Sequence, residues 1–157
     1  MDALPPPPGG ALAAAVRDLE RHVAAAGWDQ PIRLFALVRT ADLLAREPGL
    51  AGTVPSPTDP DELSSLEQEQ LPEHDGPADL LARVAWPETV DGVALTVERY
   101  VVSRGEREEV RITAAALRDG SRWSAVRVRA HDHDLEVLDG PDLVPELAEA
   151  VLACLAD

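Results

Sequence analysis

A chain of 157 residues is long enough for one domain with its own core, and its 29 acidic residues against 14 basic ones give a formal charge of −15. That balance argues against a nucleic-acid backbone or an anionic membrane surface as partner, since both call for a net positive face. Every basic residue is arginine, so lysine Schiff-base and P-loop chemistry are excluded, and the single cysteine, Cys154, excludes an internal disulfide or a multi-cysteine zinc site.

Residues 1 to 10, with four consecutive prolines and two glycines, are expected to form a disordered tail ahead of a single α+β domain over 11 to 157. Leu12, Val16, Leu19 and Val23 recur at helical spacing, and Gly27 stands where a C-terminal cap belongs. Trp28-Asp29-Gln30-Pro31 then leads into Ile32 to Arg39, a strand with apolar residues on both faces. Thr40 is placed to cap a short helix, Ala41 to Glu47.

Residues 48 to 77 are rich in proline, serine and acids, and residues 47 to 82 hold nine acids and no base. This composition predicts a long, flexible acidic loop with at most one amphipathic turn near Leu63 and Leu66. A short helix from Pro77 to Val84 follows and ends at Trp86-Pro87. Residues 93 to 102 read as a strand.

The stretch from Glu108 to Ala130 is a hairpin whose register can be derived. A two-residue loop at Asp119-Gly120 would put Ile112 opposite Arg127 and bury charge. A three-residue loop, Arg118-Asp119-Gly120, sets Val110, Ile112, Ala114 and Ala116 on one face with Val128, Val126, Ser124 and Arg122, and uses Gly120 in the left-handed conformation it favours. The second register is therefore expected, with Glu109, Arg111, Thr113, Ala125, Arg127 and Arg129 on an open outer face. Leu135 to Leu138 could add an edge strand, and Pro145 opens a final helix carrying Leu147, Val151 and Cys154 or Leu155. The order predicts an antiparallel sheet of four to five strands with helices packed on one face.

Three sets of residues could carry function. Arg111, Arg127 and Arg129, joined by Arg99, could hold a small anionic ligand or an acidic protein segment through bidentate hydrogen bonds; paired, solvated side chains are the plainer reading. Trp28 and Trp86, each beside a chain-breaking proline and an acid, could line a binding cleft or cover the rim of the core. If the last hairpin strand continued, His131 and His133 would share a face and could supply two ligands to a divalent metal; a polar turn at the strand end is the plainer reading. No nucleophile elbow or dinucleotide-binding glycine pattern is present.

The blocks WDQPIRLFALVRTADLLAREPGLAG from Trp28, LLARVAWPETVDGVALTVERYVV from Leu80 and VRAHDHDLEVLDGPDLVPEL from Val128 resemble an uncharacterised family of small proteins from high-GC Gram-positive bacteria. The resemblance implies a cytoplasmic bacterial protein and carries over no catalytic residue. The sequence thus points first to a non-catalytic domain that binds a small ligand or a protein, with homodimerisation through the arginine-bearing face as one form of this. A metal-dependent enzyme built on His131 and His133 is the second reading. An acidic mimic that occupies a basic protein is the third.

Overall fold

The computed structural model describes residues 10–156, so the expected proline-rich tail lies outside the described residues except for Gly10. Its centre is a six-stranded antiparallel sheet in the order β2-β1-β3-β4-β5-β6: β1 (Arg33–Arg39), β2 (Leu63–Glu67), β3 (Gly92–Ser103), β4 (Glu106–Leu117), β5 (Arg122–Val128) and β6 (Leu138–Gly140). Among the described residues the α-helices are α1 (Gly10–Ala24), α2 (Thr40–Arg46), α3 (Pro77–Arg83) and α4 (Pro145–Ala153). The α+β class is as expected, but the sheet has six strands rather than four to five.

The extra strand is β2, inside the segment expected to be a loop. Its residues Leu63 to Glu67 pair with Arg39 to Phe35. Thr40, expected to cap α2, instead shares a 2.7 Å hydrogen bond between its hydroxyl and that of Ser64, so it ties β2 to the start of the helix. The expected strand at Leu135–Leu138 is also displaced: Asp134–Glu136 is a single 3-10 turn, and β6 begins at Leu138.

The derived hairpin register is the one adopted. Val110 faces Val128, Ile112 faces Val126, and Ala116 faces Arg122. Leu117 and Ser121 close the three-residue loop through a 2.9 Å bond from the Leu117 N–H to the Ser121 carbonyl, with Gly120 at φ +96°.

Helices cover both faces, which corrects the expectation of a single covered side. Helix α1 lays Leu12, Val16, Leu19 and Val23 on Phe35, Leu37, Ala94, Ala115, Trp123 and Ala125. On the other face, α3 and α4 place Leu80, Leu81, Leu147 and Val151 against Leu34, Val93, Leu95, Ile112 and Ala114. Burial of each such aliphatic side chain contributes about 1.5–3 kcal/mol. A sheet with two apolar faces needs two covers, and α1 supplies one while α3 and α4 together supply the other.

Candidate functional site

The face under α1 grades from apolar to ionic along the strands. Successive cross-strand rows read Leu37, Gly92 and Leu117; Phe35, Ala94, Ala115 and Trp123; Arg33, Thr96, Thr113 and Ala125; then Glu98, Arg111 and Arg127. Arg111 and Arg127 are therefore direct cross-strand neighbours, a like-charge pair that is destabilising unless each is separately neutralised. Both are buried, at 1% and 2% exposure, so the outer hairpin face is closed rather than open at these positions.

Each guanidinium has its own carboxylate. Arg127 donates to both oxygens of Glu20 on α1, at 2.8 and 2.7 Å, and also to Asp132 at 3.0 Å and Asp134 at 2.6 Å. Arg111 donates to Glu98 at 2.9 Å and to the carbonyl of Gly27, placing a cation at the C-terminal end of α1, where the helix dipole favours it. Gln30 completes that end by donating to the carbonyls of Val23 and Gly27 at 2.8 and 2.6 Å. Gly27, at φ +87°, turns the chain out of the helix as its position predicted.

Trp28 is the lid on this cluster. Its ring lies 4.4 Å from the Arg111 guanidinium carbon and 5.6 Å from that of Arg129, and its indole N–H donates to Asp132 at 3.1 Å. Among the described residues the Nη1 of Arg111 has no hydrogen-bond partner, so the cation relies on the ring in addition to Glu98. Arg129 is more exposed and spans Asp29 and Glu109 at 2.9 and 3.0 Å. These contacts set the ionisation of the cluster. Arg129 holds Asp29 below the ordinary aspartate range, Arg127 does the same for Asp134, and the Trp28 indole followed by Arg127 does so for Asp132. The acids in turn raise Arg127 and Arg129.

Three arginines thus meet six carboxylates: Glu20, Glu98, Asp29, Glu109, Asp132 and Asp134. The cluster carries more negative than positive charge, so it repels a free anion rather than gathering one. Arg99 does not join it. It sits opposite Val110, which places it on the far face of the sheet, exposed. Trp86 is also on that face, packed against the α3 and α4 core. Trp28 and Trp86, each of which could have lined a cleft or covered the rim of the core, therefore lie on opposite faces of the sheet.

The histidine pair loses its geometric premise. Strand β5 ends at Val128, and Arg129–His131 forms a 3-10 turn, because Asp132 and Asp134 fold back to reach Arg127. His131 and His133 are both exposed and are not consecutive inward positions of a strand. Among the described residues, the three acidic groups close enough to share one ion are Asp29, Glu98 and Glu109, with ligand atoms within 4.8 Å of one another. They are already engaged by Arg129, Arg111 and the backbone N–H groups of Asp29 and Gln30.

Two further features were not read from the sequence. Arg118, in the hairpin loop, donates to the carbonyls of Val90, Leu155, Pro87 and Trp86 and so ties the loop to the end of α4. Strands β3 and β4 also outrun their neighbours. Beyond Thr96 strand β3 has no β1 partner, and before Val110 strand β4 has no β5 partner, so the two continue as a two-stranded ribbon to a turn at Arg104-Gly105. On that ribbon Tyr100 is 56% and Val102 78% exposed, and the Arg107 guanidinium lies 3.8 Å from the Tyr100 ring.

A solvent-open hollow of about 630 Å³ lies between Leu71, His74, Asp79 and Arg83, away from both the arginine cluster and the ribbon. His74 there accepts the Gly76 N–H at 3.2 Å, a local turn contact. Among the described residues no helix is long and apolar enough to cross a membrane. A family model described as PPA1309-like protein matches residues 12–106 and 101–156. No curated protein and no solved structure matches the chain.

Proposed function

The chain belongs to the PPA1309-like family, a description that names no activity, and we propose on the geometry that it is a non-catalytic protein-interaction domain working through the β3–β4 ribbon. The observation that carries this reading is where the unpaired chemistry lies. The arginines and acids under α1 are consumed by one another, whereas the ribbon leaves the sheet with a large aromatic and a β-branched side chain in solvent. Exposed apolar side chains on a protruding two-stranded element mark a recognition surface more often than a catalytic one. The arginine cluster then acts as the ribbon's anchor. Glu98 and Arg111 at its base hold the α1 end and the Trp28 loop against it, so the arm is presented on a rigid mount.

A cytoplasmic setting in a high-GC Gram-positive bacterium goes with this proposal and is supported by the sequence resemblance. The test is site-specific photocrosslinking in cells that make the protein. A benzoylphenylalanine at position 100 is expected to yield discrete adducts, and the same probe at the exposed Glu88 is expected to yield none. Equal adducts from both positions, or none from position 100, would overturn the reading.

A further inference from the structure

We infer that the ribbon's partner is a second copy of this chain, joined by antiparallel pairing of the free edge of β3 with its symmetry mate; this rests on the interaction reading above. The argument begins with which backbone groups are free. Arg104 and Gly105, at φ +53° and +79°, form a two-residue hairpin turn, so Ser103 and Glu106 make the hydrogen-bonded closing pair. Alternation along β3 then turns the N–H and C=O of Val101 and Arg99 toward β4, and those of Tyr100 and Val102 outward. The same parity holds at the other end of the strand, where the carbonyl of Asp91, odd-numbered like Val101 and Arg99, accepts the Arg118 N–H on the β4 side at 2.9 Å.

A two-fold axis through Val101 sets Tyr100 of one copy opposite Val102 of the other. Both residues point their backbone groups outward, so each such pair can exchange both of its N–H···O bonds. The pairing also places an aromatic against a β-branched side chain on the same face, a favourable cross-strand combination. Sliding the register by one residue would pair outward groups with inward ones.

The remaining edges are protected in ways that this one is not. Strand β6 is three residues long and runs into Pro141. The free part of β4 reads Glu106, Arg107, Glu108, Glu109, and β2 is flanked by Asp61, Glu62, Glu67 and Glu69, so self-pairing of either brings like charges together. The β3 edge from Arg99 to Ser103 carries Tyr, Val and Val, with no proline and no acid. Residues 97 to 107 hold three arginines and two glutamates, so copies that repel strongly elsewhere meet here at near-zero local charge.

Sedimentation equilibrium of the full chain from about 1 µM to about 1 mM, the span of weak to moderate association, is expected to show the mass rising toward twice that of one chain. Val102→Pro removes an outward N–H that the protomer does not use, and is expected to weaken self-association by about tenfold or more while keeping the circular-dichroism spectrum; Val102→Lys should do the same. Independently of any variant, hydrogen exchange at the Tyr100 and Val102 amides should slow as concentration rises. A monomer across the whole range, protection gained elsewhere than on this edge, or folded variants that associate unchanged would overturn the inference. Crosslinks from position 100 to a different protein, with the purified chain monomeric, would sink the second copy and leave the interaction reading standing.

Discussion

The buried pair of Glu20 and Arg127 offers the sharpest test of how the α1 face is held. Their side chains are 2% and 3% exposed and joined by two short charged hydrogen bonds. Removing one member of a buried pair typically costs about 3–5 kcal/mol, because the survivor keeps its charge without its counter-charge. The two members are not equivalent here. Glu20→Gln leaves Arg127 bonded to Asp132 and Asp134, and an amide oxygen can still accept one bond, so a loss of about 2 kcal/mol is expected. Arg127→Met strands Glu20, which has no other hydrogen-bonding side chain among the described residues, and frees two further acids beside it, so about 4 kcal/mol is expected. Combining Arg127→Met with Glu20→Leu should recover about 2 kcal/mol relative to Arg127→Met alone, since the stranded charge is gone. Urea unfolding with an unchanged m-value reads all three, and a loss of 4 kcal/mol in a chain of this size lowers Tm by about 8–16 °C. If the two substitutions simply add, or Glu20→Gln costs more than Arg127→Met, the asymmetry drawn from Asp132 and Asp134 is refuted.

Other expectations follow from single contacts. Asp29, Asp132 and Asp134 have folded pKa values below the ordinary 3.8, so their contribution is fully present above that value and is lost as pH falls through the lowered values; urea midpoints measured downward from neutral pH should hold until about pH 4 and then drop, less steeply in Asp132→Asn. Gly92→Ala places a Cβ 2.5 Å from the Ala116 carbonyl oxygen and from Leu117 Cδ2, and should cost about 2 kcal/mol in the same assay, since the backbone oxygen cannot swing away. Burial pushes the Cys154 thiol up to about 11 from 9.0, so its rate of reaction with a thiol-specific disulfide reagent at neutral pH should be about a hundredfold below that of the urea-unfolded chain.

How much of this architecture could be read beforehand depended on whether a local rule decided the matter. The hairpin register was legible because a one-residue slip would have set Ile112 against Arg127, and Gly120 supplied the only loop that avoided it. Strand β2 was not, because LSSLE sits among prolines and acids, and its two leucines, three apart, imitate a helical turn; pairing to β1 decided its conformation. The double cover was partly legible in β1, whose apolar residues on both faces already required it, but the arginines of β4 and β5 disguised the same requirement there.

Glu20 was the available signal for that disguise. It lies four residues after Val16 and three before Val23, so it falls on the buried stripe of α1 rather than on its charged side. An acid on an apolar stripe needs a buried cation, and the hairpin supplies one in Arg127, which meets both oxygens of Glu20. Followed through, that single position turns the arginine row from an open binding surface into the underside of a helix. The uncovered surface then lies farther out along the same two strands, past the end of α1, where Tyr100 and Val102 are exposed. Beyond Glu98 and Glu109, both already taken by arginines, the strands continue with Tyr100 and Val102 uncovered, on an edge that lacks the proline, bulge or acid that would block pairing with another strand.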